Sequence, residues 1–310
     1  MTQQEILALE KTKTEKIRLL LSIGLTRKQT ATALGIGYGF VQNVYKKYYG
    51  ANTPQAQPAT FAFTTFNRNF GVEIEAFIGV GKTLQQLVTL ITDKGVSCEM
   101  ESYGHNTRPH WKIVKDGSLV ATGTTFEIVS PILSGIEGLK ELEKVCEALA
   151  EYGARINKTC GLHIHFDAEN FNLQCWKNLL ENYHKLEQTI DNFMPLSRRA
   201  NNNNYCKGLG RDIEEIKSAT SVVELTNVTR TRYTKINTQS YARHKTVEFR
   251  QHSGTTEFLK IKNWILFLHN LVTISEIKII ATPTLEGLLE FNQEEIVAFY
   301  NERTEELSTC

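Results

Sequence analysis

From Asn69 to Ile78 the chain alternates apolar and polar positions, with Phe70, Val72, Ile74, Ala76 and Ile78 on one phase and Glu73 and Glu75 on the other. A period of two predicts a strand whose two carboxylates share a side, about 7 Å apart. Three further runs repeat the pattern: residues 124–129 with Glu127, residues 162–166 with His163 and His165, and residues 246–250 with Glu248 and Arg250. Each run sets ionisable groups on an otherwise apolar strand. Glutamate is a poor strand former, and desolvating a lone carboxylate is costly, so acids clustered on strands of this kind call for a counter-charge. A bound divalent cation is the most economical one.

The ends of the chain follow the helical period instead. A helix from about Thr14 to Ser22 is followed by Gly24, and Thr26 with Gln29 stands at capping-box spacing for a second helix ending at Leu34-Gly35. A third helix from about Tyr38 places Val41, Val44, Tyr45 and Tyr48 on one face. Residues 257–274 and 293–302 read as helices that pack on the sheet, with His269 a core or helix-face histidine. Between the two regions, residues 51–62 are polar and carry prolines without periodicity, as a linker does. The expected organisation is a helical domain over 1–50, a linker over 51–62 and a large α+β domain over 63–310.

Length and composition agree with that division: 310 residues, 41% hydrophobic and 22% charged, suit one large core with a small satellite. The net charge of +1 gives no global attraction to nucleic acid or an anionic membrane. The first fifty residues differ, with eight Lys and Arg against three Glu, or +5. Six cysteines without Cys-x-x-Cys spacing suit a reducing compartment. Charges occupy the place of a signal peptide's apolar run, and His269 and Asn270 interrupt the most apolar later stretch, so a cytoplasmic protein with no membrane span is expected.

The basic N-terminal segment resembles the helix-turn-helix family. The family's small-residue site falls on Ala31, its turn glycine on Gly35, and its packing sites on Val41 and Val44. The resemblance implies DNA as a partner through residues 26–48, with Gln42 and Asn43 toward base edges and Lys46 and Lys47 near phosphates. A trihelical module docking on a protein or on the rest of the chain is the alternative.

Carboxylates that outnumber imidazoles favour Mg²⁺ or Mn²⁺ over zinc, and Mg²⁺ commonly holds substrate phosphates too. The Gly81-Lys82-Thr83 triplet lacks the upstream glycine of a phosphate-binding loop and reads as a turn before a helix. The ordered segments 70–77, 110–119, 126–133, 160–167, 195–199, 232–237 and 247–255 together resemble the amidoligase family, relatives of glutamine synthetase and gamma-glutamylcysteine synthetase. The resemblance implies an antiparallel, glutamine synthetase-like sheet flanked by helices. It also implies ATP and Mg²⁺ (or Mn²⁺) as cofactors, and amide formation between an amine and a small-molecule, peptide or protein carboxylate through an acyl phosphate.

Carried over residue by residue, Glu73, Glu75, Glu127, His163 and Glu248 match metal ligands. His165 matches a group facing phosphate or substrate, and Arg250 one that steadies the transferring phosphoryl. Arg232, Asn237, Arg198 and Arg199 match positions that clamp phosphate or a substrate carboxylate, and Asp116 with Ser118 a substrate-orienting pair whose other reading is a tight turn. The asparagine run after Arg199 departs from the family's pattern. Family members often occur in phages and mobile elements. The alternatives are a DNA-binding regulator whose large domain senses a nucleotide or amino acid, and a metal-dependent hydrolase built on His163 and His165 with His105 or His110.

Overall fold

The computed structural model describes the chain except residues 1, 24, 50–65, 103, 105, 309 and 310, with the backbone alone over 46–49. The expected linker, the expected start of the large domain at 63, the side chains of Lys46 and Lys47, and all of His105 therefore lie outside the described residues. The chain divides into two compact units, Met1–Phe61 with Asn301–Cys310, and Ala62–Tyr300.

In the small unit, helices α1 (Gln3–Ala8), α2 (Lys13–Ser22), α3 (Arg27–Leu34) and α4 (Tyr38–Tyr49) follow one another. The first is an addition to the helices the periodicity predicts. Thr26 and Gln29 form the expected capping box on α3. Gly35 ends α3 at φ 61°, a left-handed turn that a side chain would strain. Ile17, Ala31, Val41 and Val44 are buried together, with Leu21, Leu34 and Ile36 against them.

The large unit is built on a sheet of eight strands among the described residues. These are β1 (Asn69–Ile78), β2 (Cys98–Met100), β3 (Trp111–Lys115), β4 (Thr124–Val129), β5 (Leu133–Ser134), β6 (Leu162–Asp167), β7 (Ile236–Asn237) and β8 (Thr246–Phe249). Their spatial order is β2-β3-β4-β1-β6-β8-β7, with β5 beside the start of β1. Every pairing is antiparallel except β2 with β3.

The alternation read from β1 decides which way the sheet faces. Phe70, Val72, Ile74, Ala76 and Ile78 are fully buried, whereas Glu73 and Glu75 stand half-buried on the opposite face. The apolar face packs on a layer of helices at Leu84–Asp93, Gly135–Tyr152, Leu173–Asn192 and Phe258–Ser275, where Leu87, Leu142, Leu149, Leu179, Trp264 and Leu268 join one core. Burying a large apolar side chain of this kind stabilises by about 1.5–3 kcal/mol. The helices thus claim one face, and the other is left for charged side chains.

Smaller features agree with the sequence. Thr83 caps the helix that follows it and Lys82 bonds the Tyr152 carbonyl, so this Gly-Lys-Thr is a helix start. His269 is buried edge-on against Phe66, ring centroids 4.8 Å apart, and burial pushes its pKa down. Cys98, Cys146, Cys160, Cys175 and Cys206 are free and buried. No helix among the described residues is long and apolar enough to cross a membrane.

Candidate active site

Strand register assembles the charged face. Glu75 lies opposite Glu127, Glu73 opposite His163, and His165 opposite Glu248, which is itself opposite Asn237. Side chains directly opposite across a sheet have Cβ atoms about 5 Å apart, so five separate stretches converge without any loop having to place them.

The contacts are close. His163 Nδ1 lies 3.0 Å from Glu73 Oε2 and 3.7 Å from Glu248, and its Nε2 lies 3.8 Å from Glu75. His165 Nδ1 is 3.0 Å from Thr246 Oγ1, and its Nε2 stands 3.3 Å from Glu73 Oε1 at an angle that leaves this buried nitrogen without a hydrogen bond among the described residues. Asn237 Nδ2 donates to Glu248 Oε2 at 2.6 Å, and Arg250 pairs with the other oxygen of the same carboxylate. The Gly161 N–H donates to Glu75 Oε2 at 2.5 Å. Donor atoms of Glu73, Glu127 and His163 lie within 4.8 Å of one another, as do those of Glu73, His165 and Glu248, so Glu73 is common to both groups.

Charge is unevenly balanced in this cluster. Burial opposes the charge on Glu73, yet the hydrogen-bonded His163 and the neighbouring His165 hold it well below the ordinary carboxylate range. Burial likewise opposes the charge on Glu248, which the neighbouring Arg250 and His165 nevertheless hold low. Glu127 has no such partner among the described residues: burial, and then the charges of Glu73 and Glu75, push its pKa well above the usual value. His165 is raised by Glu73 and Glu248 in spite of its burial. The protein by itself thus offers more carboxylates than its cations can neutralise, with Glu127 held toward its protonated form, and it presents a buried imidazole nitrogen without a hydrogen bond among the described residues to the same space. A divalent cation with a preference for oxygen fits that donor set.

Binding such a cation must displace a proton from Glu127 and from any protonated His165, so affinity should rise with pH. The sign for stability follows. With Glu127 raised above its unfolded value, the cation-free fold has its full contribution below about pH 4.5 and loses it as pH climbs through the raised pKa. The increase in Tm produced by millimolar MnCl₂ over EDTA is therefore expected to be larger at pH 8 than at pH 5.5. An equal increase at both would count against cation binding by these groups.

The remaining predicted site residues are distributed as follows. Arg198 is buried, donates to the Cys160 carbonyl at 2.6 Å, and leaves its Nε without a partner among the described residues. It lies beside the acids, because a Cβ built on Gly161 would be 3.3 Å from both Arg198 Nη2 and Glu75 Oε2. Arg199 turns back to the Met194 carbonyl at 2.7 Å. Arg232 is exposed over the ring of Tyr233. Asp116 accepts from the Ser118 amide and hydroxyl at 2.8 and 2.7 Å, a tight turn that follows β3, and its charge reaches Glu127. His110 sits with Glu101 at the β2 edge, 3.0 Å away.

Two members of the site escape the charge pattern. Gly161 precedes the His-x-His strand and approaches closely because it has no side chain, and Thr246 fixes the ring of His165. A glycine beside a histidine pair was the available signal for the first. Thr246 reads only as a good strand residue.

Residues 66–272 match the family described as "Putative amidoligase enzyme". The chain belongs to the amidoligase family. It is an amide-bond-forming ligase, and the family implies a carboxylate and an amine as substrates. Chains of solved structures also match this amidoligase, among them a crystal structure described as a novel glutamine synthase homolog. The two are 11% identical, with 80% of this chain and 69% of that one covered, at a TM-score of 0.40. No curated protein sequence matches the chain.

Proposed function

We propose that this amidoligase joins a carboxylate to an amine at the expense of ATP, with Mg²⁺ or Mn²⁺, through an acyl phosphate. The convergence of Glu73, Glu75, Glu127, His163, His165 and Glu248 with Arg250 on one sheet face carries the reading. A carboxylate oxygen is a poor leaving group, and phosphorylation converts it into a good one. Glu73, Glu75, Glu127, His163 and Glu248 would hold the cation, with His165 turned to phosphate or substrate. When bound, the cation supplies charge neutralisation for the nucleotide's phosphates.

The chain's own groups do the rest. Arg250, kept charged by Glu248 and Glu73 in spite of burial, would offer a planar guanidinium to the charge that develops on the transferring phosphoryl. Asn237 holds the Glu248 carboxylate in place, and Thr246 sets the His165 ring. Arg198 is a clamp for phosphate or for the substrate carboxylate. The half-burial of Glu73 keeps the face open to ligand while limiting water.

Screening pools of carboxylates and amines for stimulated phosphate release, with mass spectrometry for the condensed product, tests the reaction; phosphate release that needs neither would overturn it. Arg250→Lys is expected to keep cation binding and lower turnover by roughly 10–100-fold, because a point charge replaces a planar fork. Unchanged kinetics would make Arg250 a structural partner of Glu248.

For the N-terminal helices we propose DNA contact through residues 26–48, and the small unit sets a condition on it. Arg27 pairs with Glu302 and Glu306 at 2.7 and 2.8 Å and donates to Gln42 at 2.7 Å, while Gln42 donates to Glu306 at 3.3 Å. The residue placed toward base edges is thus held by carboxylates of the same unit, although Asn43 beside it is exposed. Salt-sensitive retention of duplex DNA on a filter should increase in Glu302→Gln/Glu306→Gln over the parent chain. Retention by neither protein would remove DNA as a partner.

A further inference from the structure

Arg198 reaches the acid cluster from a segment outside the sheet. It stands over Gly161 beside Glu75, and its side chain is held there by the Cys160 carbonyl at 2.6 Å and a 4.0 Å contact with Cys206 Sγ. Its place therefore depends on the backbone around the short helical turn Leu196–Arg198. The inner bonds of that turn, from the Arg198 amide to Pro195 and from the Arg199 amide to Leu196, fix its shape without fixing where it lies.

One carboxylate supplies the anchor. Asp191, in the last turn of the helix Leu173–Asn192, accepts from the Ala200 amide on Oδ2 at 2.6 Å, and on Oδ1 from Lys235 Nζ at 2.8 Å and Gln251 Nε2 at 2.5 Å. Ala200 has a φ of 47°, a left-handed conformation strained for any residue with a Cβ, so the direction of this amide has to be held. Gln251 also reaches the Arg198 carbonyl at 3.4 Å, and its own side-chain oxygen accepts from the Tyr183 hydroxyl at 2.8 Å. Lys235 and Gln251 are fully buried and flank Arg250: Gln251 follows it in the chain, and the Lys235 carbonyl accepts its amide at 2.8 Å. Arg198 and Arg250, from separate stretches, thus share one buried support.

The chemistry of that support points to aim rather than adhesion. Lys235 is stripped of water beside Asp191, with Glu187 3.8 Å away, and a buried ion pair exchanged for apolar groups of similar volume is often just as stable. What charge-assisted hydrogen bonds add is direction. An apolar pair would hold the helix to the sheet without aiming the Ala200 amide.

We infer that Asp191 is a positioning residue for the ligase reaction, with Lys235 as its counter-ion: it fixes residues 195–200 so that the Arg198 guanidinium stays on the acid cluster at a set place relative to Arg250. The inference rests on the proposed function in taking Arg198 as a ligand-binding group. Asp191 bonds Ala200, Lys235 and Gln251, and it acts through Arg198.

A double-mutant cycle on the full chain tests it, with the carboxylate and amine that the substrate pools identify. Asp191→Asn leaves one acceptor oxygen where Ala200 and Gln251 need two, and Lys235→Met removes the charge that would otherwise stay buried beside it. The chain carrying both is expected to keep its Tm within about 5 °C of the parent and to exchange the Ala200 amide hydrogen roughly tenfold faster or more. Its kcat/KM for ATP-dependent product formation should fall by about 10–100-fold, the scale of a displacement of about 1 Å at a reacting group. In an Arg198→Met background the same two substitutions should cost less than about twofold further, because the group they position is gone. Should the chain carrying both lose its near-UV circular dichroism, Asp191→Asn alone, in which Lys235 keeps Glu187 3.8 Å away, takes its place in the cycle.

Losses of equal size in the two backgrounds would make the pair structural and overturn the inference, as would unchanged exchange at Ala200 or parental kcat/KM. Those results come from a parent chain that forms product, so they leave the ligase reading standing. A parent chain without any ATP-dependent product would sink that reading, and the positioning role with it.

Discussion

Glu73→Gln is expected to lower ATP-dependent product formation by about 10³-fold or more, the scale set by losing a group that stabilises transition-state charge directly. The size follows from geometry. Glu73 belongs to both groups of clustered donors, stands 3.0 Å from His163 and 3.3 Å from His165, and is the carboxylate those imidazoles hold most firmly in its charged form. An amide in its place cannot carry the charge that a cation would meet on both sides. The fold should survive, because Glu73 contributes to the wet face of β1 and the helix layer packs on the other. The decisive measurement is product formation together with Tm. Turnover within tenfold of the parent, at an unchanged Tm, would take Glu73 out of the centre of the site.

Gly161→Ala should be nearly as damaging in spite of adding one methyl group. A Cβ there would lie 2.9 Å from His163 Nε2 and 3.3 Å from both Arg198 Nη2 and Glu75 Oε2. Those three ends belong to buried or nearly buried side chains already held by Glu73, by the Cys160 carbonyl and by the Gly161 amide itself. None can withdraw without giving up a hydrogen bond. A displacement of about 1 Å at reacting groups costs on the order of 10²-fold in rate, and disturbed ligand geometry about 10–100-fold in metal affinity. Turnover and Mn²⁺ affinity are expected to fall together. A variant with full activity would mean that the His163 ring and Arg198 have room the structure does not show.

The organisation of the large unit was legible in its patterns because a strand's period of two and a helix's period of 3.6 are local properties. The alternation through Glu73 and Glu75 was enough to predict β1 and to say that one face is charged. The Thr26 and Gln29 spacing marked the start of α3, and Gly35 its end, since caps are made by residues three or four apart. The interrupted apolar run at His269 was correctly a core helix, because a neutral imidazole can be satisfied among aromatic rings.

What these patterns could not carry is register. Which glutamate meets which histidine depends on how far each strand slides along its neighbour, and one residue of slip would turn the whole set to the other face. The short β7 and β8 depend on β6 for their place, so the pairing of Asn237 with Glu248 is a property of the assembled sheet. The same holds for Gly161, whose importance comes from three side chains that approach it.

By itself, then, the amino-acid order determined the elements, the two faces of β1 and the chemical types of the groups available, because these depend on neighbours along the chain. Only the tertiary structure decided that Glu73 stands between two histidines and that Glu127 lacks a compensating charge among the described residues. Those facts arise from distances between strands remote in sequence, where the energy of a charge is set by what has been brought beside it and how much water has been removed.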